Sequence, residues 1–395
     1  MKKRIIYSIV SICLIVFGLC SYFISEHFKK DEIVSNAAVD LNLDCGAAYL
    51  VEESSGKVLY AQNELAKMYP ASMTKMMGLI LVCEAIENNT ISKEDIVSIS
   101  TQAASMGGSQ VFLQPLEEMS VDDLIKCVCI ASANDAMYAL SEYVSTTNEN
   151  FVKQMNDKAK ELKLENTHFV NVTGFDDDNH YTCAKDMATI ALELLKYKDL
   201  ILPYTSTYDT HIRQDTDNPF WLVNTNKMVK YYNGMDGLKT GYTNKAGSCL
   251  TATALRNNVR LVSVIMKAQT SDIRNGLTKT LLDYGFSRIK GSVLYNADSQ
   301  IGTINIDKAK EKDIKVYTNQ DIILIYEGTL DTNKMTKEIV LKSNLMLPIE
   351  ANEEIGYLKI TYDGNEYQYP LIVKEKVEPL NMWELVGSYL KDMLF

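Results

Sequence analysis

The chain has little histidine: four in 395 residues, at His27, His168, His180 and His211. They are too scattered to suggest a metal site or a Ser/His/Asp relay. A second paired-cysteine motif is also missing. Cys127-x-Cys129 stands alone, and Cys45, Cys83, Cys183 and Cys249 fall at irregular spacing among mostly apolar neighbours, which reads as buried free thiols rather than bridges or ligands. Positive charge is in deficit, with 40 basic against 51 acidic residues and a formal charge of −11. No basic stripe interleaved with aromatics offsets it, so nucleic acid is excluded as a natural partner. Disorder is excluded too, because 46% hydrophobic and 23% charged content is that of a folded protein, and the length allows two domains.

The first thirty residues differ from the rest. Lys2-Lys3-Arg4 precede an uncharged apolar run from Ile5 to Ile24 that contains Cys13 and Cys20. That pattern is an export signal, either a cleaved signal peptide or a retained membrane anchor, because twenty apolar residues can span a bilayer. Positive charge on its N-terminal side places the remainder of the chain outside the cytoplasm. The expected location is the outer face of a cell membrane.

Past this segment, CGAAYLVEESSGKVLYA (45–61) reads as strand, turn and strand. Ser72 to Ile86 is so densely apolar that it predicts a buried helix. Val121 to Tyr143 reads as helix interrupted near Ser132-Ala133-Asn134-Asp135, with further helices over Phe151–Leu164 and Ala184–Tyr197. From Gly237 to Lys267 the period changes to that of two successive hairpins, with turns at Lys245-Ala246-Gly247 and Asn257-Asn258. Beyond Gly291 short alternating segments predict a separate β domain over 291–375, with a hairpin at Asp363-Gly364. The C-terminal segment, 379–395, is amphipathic. It fits a helix packed on the β domain or one lying in a membrane interface through apolar contact.

Ser-x-x-Lys occurs four times, at Ser54/Lys57, Ser72/Lys75, Ser287/Lys290 and Ser388/Lys391. Three have plain explanations: a hairpin tip, a domain junction and the polar face of the terminal helix. Only Ser72/Lys75 opens an apolar helix, with the lysine one turn below the serine on the same face. Two unique motifs follow in order, Ser132-Ala133-Asn134 and Lys239-Thr240-Gly241. Each motif alone is weak evidence. A serine with a lysine on a helix, a second serine on a loop and a second lysine on a strand supply the parts for nucleophilic catalysis without histidine.

With these residues the chain resembles the low-molecular-weight penicillin-binding serine D-alanyl-D-alanine carboxypeptidases. The segments NTHFVNVTGFDDDNHYTCAKDMA (166–188) and GMDGLKTGYTNKAGSCLTATALR (234–256) look like that family's, with Ala133 where glycine is common and Thr182-Cys183 in place of a usual Ser-Thr. The resemblance implies an α+β, β-lactamase-like domain over 38–288, an antiparallel sheet packed by helices, followed by the small all-β domain and the C-terminal helix. It implies that Ser72 is the nucleophile, Lys75 its base and Ser132 a proton relay to the departing D-alanine. Asn134 would bind the substrate amide and Lys239 and Thr240 the terminal carboxylate. Gly241 would let the strand approach the ligand, and the backbone N–H groups of Ser72 and Tyr242 would form the oxyanion hole. The partners implied are peptidoglycan stem peptides ending in D-Ala-D-Ala and β-lactam antibiotics as covalent inhibitors; no metal or cofactor is called for.

Two other readings stay open at this level. A class A β-lactamase uses the same trio but needs a glutamate to activate the deacylating water, where this chain offers Asp176, Asp177 and Asp178. A surface protein that binds cell-wall peptides without cutting them would have no use for an intact nucleophile and base.

Overall fold

The computed structural model describes residues 41–214 and 216–386. The export signal lies outside the described residues, as does most of the C-terminal helix, including Ser388/Lys391.

A hairpin near the start of the described chain, β1 (Ala47–Glu52) and β2 (Val58–Gln62), joins three strands from much later in the sequence. These are β3 (Met235–Thr243), β4 (Gly247–Arg256) and β5 (Val259–Ala268), and the antiparallel order is β2-β1-β5-β4-β3. The central strands are apolar on both faces, and every residue of β1 is buried. That follows from the layering: a sheet covered on both sides has no wet face, so its strands lose the polar alternation of a half-exposed sheet. One face packs on helix α1 (Lys75–Glu87) and its neighbours, including Ala184–Leu194, while the other is covered by Ser271–Arg288, where Gly285 lies against Leu50 and Leu261. Asn257 and Asn258 both take positive φ, 48° and 64°, as a two-residue hairpin turn requires.

α1 is buried nearly all round, as its composition predicts. The interrupted helical stretch resolves into α2 (Val121–Ile130) and α3 (Asn134–Ser145), with Ser120 capping the first through the Asp123 N–H. The helix expected from Phe151 runs instead over Asn148–Glu161, because the Thr147 side chain accepts from Asn150 N–H and fixes an earlier start. A short hairpin, Asp209–Ile212 with Phe220–Val223, was not legible in the sequence.

The Ser271–Arg288 helix runs directly into a strand, Ile289–Tyr295, which pairs with Ile322–Glu327. A second, five-stranded antiparallel sheet follows, ending in the hairpin at Asp363-Gly364. Tyr367 donates its hydroxyl to Ile325 O at 2.9 Å and ties the two sheets together. Lys57, the residue before β2, pairs with Glu327 at 2.7 Å, joining the β region to the first hairpin.

Candidate active site

The turn before α1 is a single 3-10 turn, Ala71–Thr74. Ala71 sits at φ 48°, in the left-handed region that costs a residue with a Cβ about 1–2 kcal/mol. Gly174 seats that strained turn, since a Cβ there would lie 1.9 Å from Ala71 O. On the other side Gly241 does the same, where a Cβ would come within 2.8 Å of Pro70 O. The edge strand β3 therefore runs against the Ser72 turn because residue 241 has no side chain.

Lys75 is fully buried, and its Nζ lies 3.0 Å from Ser72 Oγ, 2.7 Å from Asn134 Oδ1 and 2.9 Å from Thr173 O. No carboxylate is among these contacts. Burial, and then the charge of Lys239, hold its pKa well below the ordinary lysine range, with Asp135 pulling weakly the other way. A neutral amine has two N–H donors and one lone pair. The two carbonyl oxygens can only accept, so in the neutral form they would take both N–H groups and leave the lone pair for the Ser72 hydroxyl.

Ser132, at φ 62° between α2 and α3, has a buried hydroxyl with no hydrogen-bond partner among the described residues. An orphaned buried hydroxyl is costly, and at a site it marks a group kept for a ligand. Asn134, expected to bind the substrate amide, also contacts the candidate base. Its Oδ1 accepts from Lys75, and its Nδ2 donates to Gly107 O at 2.7 Å, leaving one N–H and one lone pair for anything else.

Lys239 is also buried, and desolvation brings its pKa down to about 7, aided by the Arg274 guanidinium and opposed by Cys129. Thr240 Oγ1 donates to Thr225 Oγ1 at 2.8 Å, and Thr225 N–H donates to Ile130 O at 3.0 Å, so the Lys-Thr-Gly strand is linked to the end of the helix that precedes Ser132. The Tyr242 side chain is exposed, and it follows Gly241, the residue of β3 that meets the turn before Ser72.

Among the described residues, the two spare Ser-x-x-Lys pairs do not meet as a site. Ser54 donates to Glu52 while Lys57 pairs with Glu327, and Ser287 bonds Tyr284 O while Lys290 bonds Gly328 O. The six cysteines among the described residues are free thiols.

The family profile described as D-alanyl-D-alanine carboxypeptidase matches residues 33–270. A chain from Bacillus subtilis named D-alanyl-D-alanine carboxypeptidase DacF is 40% identical over 96% of this chain and 95% of its own. The chain belongs to the D-alanyl-D-alanine carboxypeptidase family. A second profile, the C-terminal domain of penicillin-binding protein 5, matches residues 292–379. Among carboxypeptidases of this family, Escherichia coli DacA is 30% identical over 95% of this chain and 94% of its own. Of solved structures, penicillin-binding protein 5 from Haemophilus influenzae covers 85% of this chain and 98% of its own at 29% identity and TM-score 0.65. The ampicillin-bound penicillin-binding protein D2 of Listeria monocytogenes covers 62% of this chain and 99% of its own at 31% identity and TM-score 0.56. The fold is thus that of the penicillin-binding carboxypeptidases, a helix-packed antiparallel sheet followed by an all-β region, and the protein is a serine-type D-Ala-D-Ala carboxypeptidase.

The geometry adds residues to this carboxypeptidase site that the motifs did not name. Thr173 supplies a carbonyl to Lys75, and Asn171 shapes the turn that presents it. His180 is buried, accepts from Val170 N–H through Nδ1 and hence donates from Nε2 to Thr74 Oγ1 at 2.8 Å. Desolvation lowers its pKa to about 4, so at neutral pH it is an uncharged strut. Arg274 is buried, with Asn275 Oδ1 taking two of its N–H groups, and is connected to the site through its charge, which acts on Lys239, rather than through a contact. The only advance signal was the family-like segment that holds Asn171, Thr173 and His180; for Arg274 there was none.

Proposed function

We propose that Ser72 attacks the carbonyl of the terminal D-Ala-D-Ala bond while neutral Lys75 takes its proton. The observation that carries this reading is the lysine's pair of carbonyl acceptors, which in the neutral form leave its lone pair for the proton of Ser72 Oγ. Ser132, with its unpartnered hydroxyl, passes a proton to the departing D-alanine amine. The buried cations Lys239 and Arg274, with Thr240, attract the substrate's free carboxylate, which restricts cleavage to a C-terminal residue. Asn134 uses its remaining hydrogen-bonding capacity on the substrate amide, and the backbone N–H groups of Ser72 and Tyr242 receive the oxyanion. Water releases the acyl-enzyme.

The β-lactamase alternative needs a carboxylate near the acyl-enzyme. Asp176 and Asp178 are turned elsewhere, accepting from Thr243 Oγ1 at 2.6 Å and from Tyr69 Oη at 2.9 Å, and Asp178 also pairs with Lys245. The test is D-alanine release from a stem-peptide mimic ending in D-Ala-D-Ala. Release that is lost in Lys75→Met supports the assignment; undiminished release by that variant removes Lys75 as the base.

The substrate implied is peptidoglycan stem peptide at the outer face of the cell membrane, with β-lactams as covalent inhibitors. Residues 38–288 form the catalytic domain, 291–375 the β domain and 379–395 a membrane-associating helix, while residues 1–30 export the chain. Among the described residues no helix is long and apolar enough to cross a membrane. The described start of the last helix leaves Met382 and Trp383 about 76% and 83% exposed, which supports apolar attachment to an interface.

A further inference from the structure

We infer that Asn171 is a positioning residue for the acylation step: its side-chain amide folds the 172–175 turn so that the Thr173 carbonyl takes one N–H of Lys75 and turns the amine's lone pair toward Ser72. The inference rests on the reading of Ser72 and Lys75 as nucleophile and base.

One oxygen organises the whole turn. Asn171 Oδ1 accepts from Thr173 N–H at 3.2 Å, Thr173 Oγ1 at 3.2 Å, Gly174 N–H at 2.7 Å and Phe175 N–H at 3.1 Å. Its Nδ2 donates back to Phe175 O at 3.0 Å and closes the loop. Successive backbone N–H groups converging on one side-chain oxygen turn the intervening carbonyls outward. The carbonyl so presented is Thr173 O, 2.9 Å from Lys75 Nζ. The next residue, Gly174 at φ 92°, is pressed against Ala71 O and keeps the turn in register with the nucleophile.

Without that carbonyl, Asn134 Oδ1 is the one acceptor left to Lys75 among the described residues besides Ser72 itself. The amine's second N–H then turns to Ser72 Oγ, and the serine loses the lone pair that would accept its proton. Nothing in this chain of effects alters the groups assigned to the substrate carboxylate, so acylation chemistry is lost and ground-state binding is kept. Asn171 touches no reacting atom and acts through Thr173.

The experiment measures acylation by a fluorescent penicillin as a function of pH, and kcat and KM on a stem-peptide mimic, in the full chain and its Asn171→Ala and Asn171→Asp variants, with Ser72→Ala as reference. Asn171→Ala should lower the acylation rate and kcat by about 100-fold, the scale of a small misplacement of a reacting group, with KM within about three-fold. Asn171→Asp retains the acceptor oxygen but brings a negative charge near Lys75 that favours the ammonium form. It should recover much of the limiting rate, with the acidic limb of the pH profile displaced upward by about one unit. The aspartate is nearly isosteric and carries the test if the alanine variant does not fold. Wild-type rates in Asn171→Ala, or an Asn171→Asp profile superimposed on the wild type, would overturn the inference while leaving the Ser72 reading intact. Labelling that survives in Ser72→Ala would overturn the underlying reading instead.

Discussion

Replacing Gly174 by alanine places a methyl group where the structure has none to spare. The added Cβ would stand 1.9 Å from Ala71 O and 2.2 Å from Ala71 C, both backbone atoms that cannot rotate aside. Restoring ordinary contact moves one backbone away from the other by at least about 1 Å, and a misplacement of that size costs on the order of 100-fold in rate when it reaches reacting groups. It does reach them here, because Ala71 precedes Ser72 and Gly174 follows Thr173, whose carbonyl holds Lys75. Holding alanine at φ 92° adds a penalty on the order of 1–3 kcal/mol. The control is Gly276→Ala, on an exposed helical position with nothing within 4 Å of the new methyl. Stopped-flow acylation by benzylpenicillin should therefore slow by about 100-fold or more in Gly174→Ala and stay unchanged in Gly276→Ala. Both proteins should retain the wild-type far-ultraviolet circular dichroism. Acylation by Gly174→Ala within a few-fold of wild type would refute the claim that this contact fixes the nucleophile.

Other consequences follow from the buried bases and the chain terminus. His180 is held neutral, with a pKa of about 4 against an ordinary 6.5, so the unfolded chain binds its proton first as pH falls. Its contribution is complete above 6.5 and is lost toward 4. Urea denaturation should show about 3 kcal/mol more loss between those limits in the wild type than in His180→Gln, and equal losses would count against the strut. Lys239, brought down to about 7 by burial, loses its charge as pH rises through neutrality, so kcat/KM for a substrate with a free carboxylate should fall above about 7. Lys239→Arg should abolish that basic limb, and an unchanged limb would assign it to another group. On a chain starting near Ala38, deleting residues 382–395 should reduce sedimentation with lipid vesicles; undiminished binding would return the helix to a packing role.

What could be read from the sequence was what depends on neighbours a few residues apart. Ser72 and Lys75 meet because a helical turn brings residues three apart together. The buried strands declare themselves by apolar runs, and Asn257-Asn258 by its tolerance of positive φ. Where the outcome depends on chain segments far apart, the sequence is silent. Thr173 meets Lys75 across 98 positions through a backbone carbonyl, which any residue type could provide. Asn134, expected to serve the substrate, turns out to hold the base as well, because the loop carrying Gly107 and Ser109 fixes its amide and backbone. The Asp209–Ile212 and Phe220–Val223 hairpin escaped notice because its strands are four residues each and partly exposed, leaving no run long enough to show a period.

The most direct test of Ser72 as the activated nucleophile is to map the benzylpenicillin adduct by peptide mass spectrometry on the wild type and on Ser72→Ala. One penicilloyl group is expected on the peptide containing Ser72 and none anywhere in the variant. An adduct on a different residue, or one that persists in Ser72→Ala, would contradict that role.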